Sequence, residues 1–112
     1  MRSIKIDARN KTVEEIELDD KDTLGGMQKV VGGYIEVAHN DGKNTLYVDE
    51  EGLYKGGQDF FTYDGAHQPF VGNGLWCGVN HKNGKTVKCT LTVEEVRSKV
   101  RFMDLQTVRT MV

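Results

Sequence analysis

The stretch Met27–Val37, MQKVVGGYIEV, constrains the fold more than any other part of the chain. Apolar residues Leu24, Met27, Val30 and Val31 recur at helical spacing and run into Gly32-Gly33, after which Tyr34–Ala38 reads as a strand. Glycine adopts the left-handed conformation at a helix end without a Cβ penalty, so the pair is a stop signal. Gly33 is expected at the reversal itself, with positive φ. Asp22 or Thr23 offers the N-cap. Gly25 and Gly26 each cost about 1 kcal/mol relative to Ala, so packing of Leu24, Met27 and Val30 must hold the helix.

Two hairpins follow from turn chemistry. Asn40-Asp41-Gly42-Lys43 contains Asp-Gly, the pair favoured in a two-residue type I′ turn. Centred there, the ladder sets Ile35 opposite Val48 and Val37 opposite Leu46 on a core face. The other face then carries Tyr34, Glu36, Tyr47 and Asp49. The second hairpin, 75–80 with 85–91, is expected to close over Lys82-Asn83-Gly84. That register sets Leu75 opposite Leu91, Cys77 opposite Cys89 and Val79 opposite Val87, with Trp76 pointing the other way.

Earlier, residues 3–8 and 12–18 alternate as a strand pair around Arg9-Asn10-Lys11, with charged outward positions suited to a sheet edge. Residues 52–74 lose regular patterning but hold six glycines and five aromatics, and read as an Ω-like loop, a short extra hairpin, a lid or a subunit contact. Thr92-Val93-Glu94-Glu95 is a capping box that starts a second helix. Beyond Arg101 the spacing of Phe102, Leu105, Val108 and Met111 favours helix over strand. The expected fold is a single α+β domain over 1–112: a mostly antiparallel twisted sheet of about six strands with two or three helices packed on one face. No apolar run approaches the ~18 residues of a membrane span, and two cysteines without a signal-peptide core point to a reducing cytoplasm.

The helix–Gly-Gly–strand segment and the residues after it also carry a resemblance. Gln28-x-x-Val31-Gly32-Gly33-Tyr34-Ile35-Glu36, followed by Asp49-Glu50-x-Gly52-Leu53, resembles a family of small phage and mobile-element proteins of unassigned function. Gly72-Asn73 before a strand and the helix start Leu91-Thr92-x-Glu94-Glu95-Val96 extend the likeness in outline. The resemblance implies a phage or prophage setting.

Charge is uneven along the chain. Residues 1–80 carry 8 Lys+Arg against 14 Asp+Glu, whereas residues 81–112 carry 7 against 3. The acidic run Glu14–Asp22 reads as a solvated edge, or as a docking face for a basic partner. Cys77 and Cys89 read as buried fillers, since their spacing from His81 matches no common zinc pattern. Asp49, Glu50 and Glu51 could bind a divalent cation, but a solvated strand end explains them as well. Ser3 and Ser98 have no partner suited to nucleophilic catalysis, and the glycine pairs lack a phosphate-loop context. No catalytic residue, metal or cofactor is therefore expected.

The candidate ligand platform is Tyr34, Glu36, Tyr47 and Asp49, with Trp76 beside it. Tyrosine rings stack on planar groups and carboxylates accept from amino or ring N–H donors such as those of a nucleobase. Lys29, Lys55, Lys88 and Arg97 are the candidate phosphate contacts. The expected function is a homo-oligomeric, non-catalytic phage protein that sequesters a nucleotide-like host defence signal in the host cytoplasm. The alternative is an inhibitor or accessory protein that binds a host protein through its acidic face.

Overall fold

The computed structural model describes residues 1–52, 59–66 and 68–104. In chain order the elements are β1 (Arg2–Asp7), β2 (Thr12–Glu17), α1 (Thr23–Val31), β3 (Ile35–Asn40), β4 (Asn44–Asp49), β5 (Asp59–Tyr63), β6 (Phe70–Val71), β7 (Asn73–Val79), β8 (Thr86–Val87), α2 (Val93–Lys99) and β9 (Val100–Asp104). One six-stranded sheet has the order β2-β1-β7-β4-β3 with β8 beside β7, and a three-stranded sheet has the order β6-β5-β9. Every pairing is antiparallel. The expected α+β class and the mostly antiparallel sheet of about six strands are present.

The large sheet is covered on both faces. One face sends Ile4, Ile6, Leu46, Val48 and Trp76 into a core shared with Phe61, Tyr63 and Phe70 of the small sheet and Val96 of α2. The other face packs Leu75 and Cys77 under Met27 and Val31 of α1. Burying each such large side chain contributes about 1.5–3 kcal/mol. The segment 52–74 thus holds strands: Phe60, Phe61 and Tyr63 are buried along β5, and Phe70 is buried on β6. No described helix is long and apolar enough to cross a membrane.

Both helix starts follow the cap signals. The Asp22 carboxylate accepts the Gly25 N–H, and Thr92 and Glu95 complete a reciprocal capping box. At the end of α1 the left-handed residue is Gly32, φ +90°, not Gly33. The N–H groups of Gly32 and Gly33 both donate to the Gln28 carbonyl, at 2.8 and 3.1 Å, so the reversal begins one residue earlier than expected. Leu24 is 55% exposed and does little to hold the helix; Met27 and Val31 do so.

Three sequence expectations are corrected. In the first hairpin the observed pairs are Ile35 with Asp49, Glu36 with Val48 and Val37 with Tyr47, then His39 with Leu46 after a bulge at Ala38. The Asp41 carboxylate accepts N–H bonds from Lys43 and Asn44, at 2.8 and 2.6 Å, and so flanks the loop instead of occupying its centre. The chain reverses over Gly42-Lys43, with Gly42 at φ +96°. In the second hairpin Asn80 N–H donates to the Lys85 carbonyl at 2.9 Å, which makes the loop four residues long. Gly78 therefore faces Val87, and Cys77 and Cys89 lie in cores on opposite faces of the large sheet. Finally, residues 100–104 are strand, not helix, because Val100 and Phe102 pair with Tyr63 and Phe61 of β5. Leu105, Val108 and Met111 lie outside the described residues.

Candidate functional site

The observed register divides the expected platform between two faces and the core. Directly opposed residues share a face, so Tyr47 and Asp49 go with Val37 and Ile35 on the α1 side, while Glu36 goes with Val48 on the other. Tyr34 lies just before β3, with 68% of its surface exposed. Trp76 is fully buried between the sheets. Its ring lies 5.3 Å from that of Tyr63 and edge-on to His39 at 6.1 Å. Trp76 is thus a core residue rather than part of a surface platform: it opposes Ile4 and Leu46 on the face that the small sheet covers. Its indole Nε1 has no hydrogen-bond partner among the described residues.

Two of the expected residues do converge, at a cavity. A space of about 220 Å³ lies between Glu36–Ala38 of β3, Val48–Glu50 at the end of β4, Gly52, and the segment Gln68–Val71 that carries β6. Its lining includes the acidic residues Glu36, Asp49 and Glu50 and the apolar residues Val37, Pro69 and Phe70. No Lys or Arg is among these described lining residues. Ladder and turn geometry hold the site. Glu50 N–H donates to the Tyr34 carbonyl at 2.8 Å, extending the β3–β4 ladder beyond the ends of both strands. Asp49 Oδ1 accepts the Glu51 N–H at 2.9 Å, which turns the chain at the strand end.

This arrangement suits a small molecule with an apolar or planar body and several N–H donors. Carboxylates are acceptors only, and they repel a phosphate. Tyr47 lines a different, shallow depression with Leu24, Ile35 and Lys85 on the α1 side. Burial raises its hydroxyl pKa above the ordinary tyrosine value, aided by the nearby Cys77. Sequence reasoning missed Phe70, Pro69 and Gln68. The aromatic run Phe60, Phe61 and Tyr63, bounded by Gly57 and Gly65, was the available signal for a strand here.

The other candidates resolve as structure. The Cys77 sulfur is 3.5 Å from the Ser3 hydroxyl, and burial pushes its thiol up to about 11. Burial also raises the Cys89 thiol. Both are free, buried cysteines, and neither is poised as a thiolate. Arg97 donates to the Val13 carbonyl at 3.2 Å, tying α2 to β2. Lys29 and Lys88 are exposed away from the cavity lining, and Lys55 lies outside the described residues. His81 is exposed and bonds the Gly42 carbonyl, linking the tips of the two hairpins. Among the described residues no three His, Cys, Asp or Glu side chains are grouped to hold a metal ion.

A family model described as a domain of unknown function (DUF3846) matches residues 1–102. No curated protein matches the chain. No solved structure matches it either.

Proposed function

The chain belongs to the DUF3846 family, a domain of unknown function, and from that premise we propose that it is a non-catalytic binding protein whose site is the cavity beside β3. The observation that carries this reading is the cavity lining, in which the acidic residues Glu36, Asp49 and Glu50 adjoin apolar residues that include Phe70. A few convergent polar groups set in apolar surface are the usual make-up of a small-ligand pocket. Such a ligand presents amino or ring N–H groups to the carboxylates and lays its body against Phe70. If it is a nucleotide-type signal, the base and sugar enter and the phosphates stay outside, away from the acidic lining. In the phage or prophage setting implied by the sequence resemblance, the protein acts in the host cytoplasm. It lowers the free concentration of a host defence signal without destroying it.

The test is a thermal-shift panel of nucleosides, mono- and cyclic nucleotides and planar amines, followed by calorimetry on any hit. Binding to the folded state raises Tm, with the stabilisation growing as the logarithm of ligand concentration over Kd. Glu36→Gln keeps the size but replaces one acceptor with a donor. It should weaken binding about tenfold, in line with about 1.5 kcal/mol for a hydrogen bond to a charged group, while leaving the urea midpoint unchanged. Equal affinity for wild type and Glu36→Gln removes this cavity from the function.

The second reading, docking of a basic protein, is favoured by the exposed carboxylates Glu14, Glu15 and Glu17 along the outer strand β2. Glu15 is paired with Arg2 and Glu17 with the N-terminal ammonium, which reduces the charge this edge presents. A host protein captured by wild type and lost on Glu14→Lys, with no hit in the ligand panel, would support docking over sequestration.

A further inference from the structure

The outer edge of β3 bears on the same site. Among the described residues β3 pairs with β4 alone. Of the large apolar side chains left exposed, Leu24, Tyr34 and Val37, the last two belong to this edge. The phase of the backbone is set by the bond from Glu50 N–H to the Tyr34 carbonyl. Tyr34 and Glu36 therefore turn their backbone groups toward β4, and Ile35 and Val37 turn theirs outward. An outward row of donors and acceptors is a template for another strand.

The remaining strand edges are protected. β2 presents Glu14, Glu15 and Glu17, β6 and β8 are two residues each, and β9 carries Arg101 and Asp104. On β3 the only charged residue is Glu36.

We propose that two copies of this chain pair through β3, antiparallel about a twofold axis at Ile35, and that each copy places Tyr34 at the cavity of the other. A twofold perpendicular to a sheet opposes residues of like parity, which leaves three registers near the strand centre. An axis at Glu36 sets that carboxylate directly against its own copy, like charges in a close cross-strand pair. An axis at Val37 has to run the pairing through the bulge at Ala38. An axis at Ile35 avoids both. Ile35 then exchanges two N–H···O bonds with the partner's Ile35, and Val37 N–H reaches the carbonyl of the partner's Gly33.

On the cavity side the same register sets Tyr34 directly opposite the partner's Glu36, a cavity carboxylate. Cross-strand neighbours of this kind lie within side-chain contact. The partner's Tyr34 thus becomes an outer wall for the site, and the exposed ring has a place to be buried. The assignment of the cavity as the ligand site rests on the proposed function, but the seam itself does not.

Single-cysteine cross-linking in the full chain tests the register without any ligand. A residue on the axis lies about 5.5 Å, Cα to Cα, from its own copy, within disulfide reach. In this register Val37 and its copy are offset by four residues, about 13 Å. Ile35→Cys should form a covalent dimer under oxidised glutathione, and Val37→Cys should not. The native Cys77 and Cys89 are buried and give no background. Light scattering on wild type should give twice the chain mass, which keeps the test decisive if Ile35→Cys folds poorly. A monomeric wild type, or cross-linking by Val37→Cys and not by Ile35→Cys, overturns the proposal. A dimer that binds nothing in the ligand panel leaves the seam standing and removes the function assigned to the cavity.

Discussion

Close approach, more than turn geometry, decides which glycines this chain needs. A Cβ on Gly78 would sit 2.2 Å from the Lys88 carbonyl oxygen, a backbone atom that cannot swing aside. Gly78→Ala should therefore cost about 3 kcal/mol, the upper end of ordinary overpacking, seen as a large drop in urea midpoint. Gly25 differs in kind. Its added Cβ would meet the Asp22 carboxylate at 2.3 Å, but that side chain is exposed and can move. Gly25→Ala gains about 1 kcal/mol of helix propensity and loses an N-cap of about 1 kcal/mol. Its midpoint should stay within experimental scatter of wild type; a drop as large as that of Gly78→Ala would mean that the cap cannot rearrange. The sequence shows that both positions are glycine, but only the tertiary approach of residue 88 separates the structural one from the permissive one. Trp76 makes the same point. Local alternation placed it opposite in facing to Leu75 and Cys77, which is correct, but nothing local shows that a second sheet covers that face.

At the scale of elements, the first hairpin depends on one carboxylate. The Asp41 side chain accepts the N–H groups of Lys43 and Asn44 and an amide hydrogen of Asn44. Burial acts to raise its pKa, but these hydrogen bonds together, with His39 nearby, hold it below the ordinary aspartate range. A carboxyl group with a depressed folded-state pKa stabilises fully above its unfolded value and loses that contribution as pH falls through the folded one. The hairpin tip should hence loosen only below about pH 4, the ordinary carboxyl range. Amide exchange at Asn44 should accelerate there in wild type, whereas Asp41→Asn should show a much flatter acid limb. Acceleration already at pH 6 would rule out the Asp41 carboxyl as the cause. Hairpin positions, helix N-caps and the Gly32-Gly33 stop of α1 were legible because they are encoded within a few residues. The register was not, because Asp-Gly serves equally well as the centre of a type I′ turn or as a side-chain cap beside Gly42-Lys43. Beyond that turn, the one-residue bulge at Ala38 puts residues 35–37 on the other face relative to β4. That bulge separated Glu36 from Tyr47, and the fourth loop residue of the second hairpin placed Cys77 and Cys89 in different cores.

For the whole molecule the question is whether the two sheets fold as one unit. The small sheet takes β5 and β6 from the middle of the chain and β9 from just after α2, so its strands come from segments far apart in sequence. Its Phe61 and Tyr63 share one core with Ile4, Leu46 and Trp76 of the large sheet. Gly74 on β7 lies where a Cβ would be 2.7 Å from the Phe61 ring, a measure of how tightly the sheets meet. Neither sheet buries its inner face without the other, which predicts a single cooperative transition. The protein's one tryptophan reports on that junction directly, since Trp76 lies at the interface and packs against Tyr63. Urea transitions followed by tryptophan fluorescence and by far-ultraviolet circular dichroism should coincide. Phe61→Leu should shift both midpoints together by about 1 kcal/mol, the scale of a modest core volume change. A fluorescence transition that precedes the loss of secondary structure would show the small sheet detaching first. The cavity would then open with it, because Pro69 and Phe70 form one wall while Glu36 and Asp49 form the other. Ligand affinity should consequently fall on Phe61→Leu only if the sheets separate independently, so calorimetry on that variant would determine whether the site is held by the fold as a whole or by the small sheet alone.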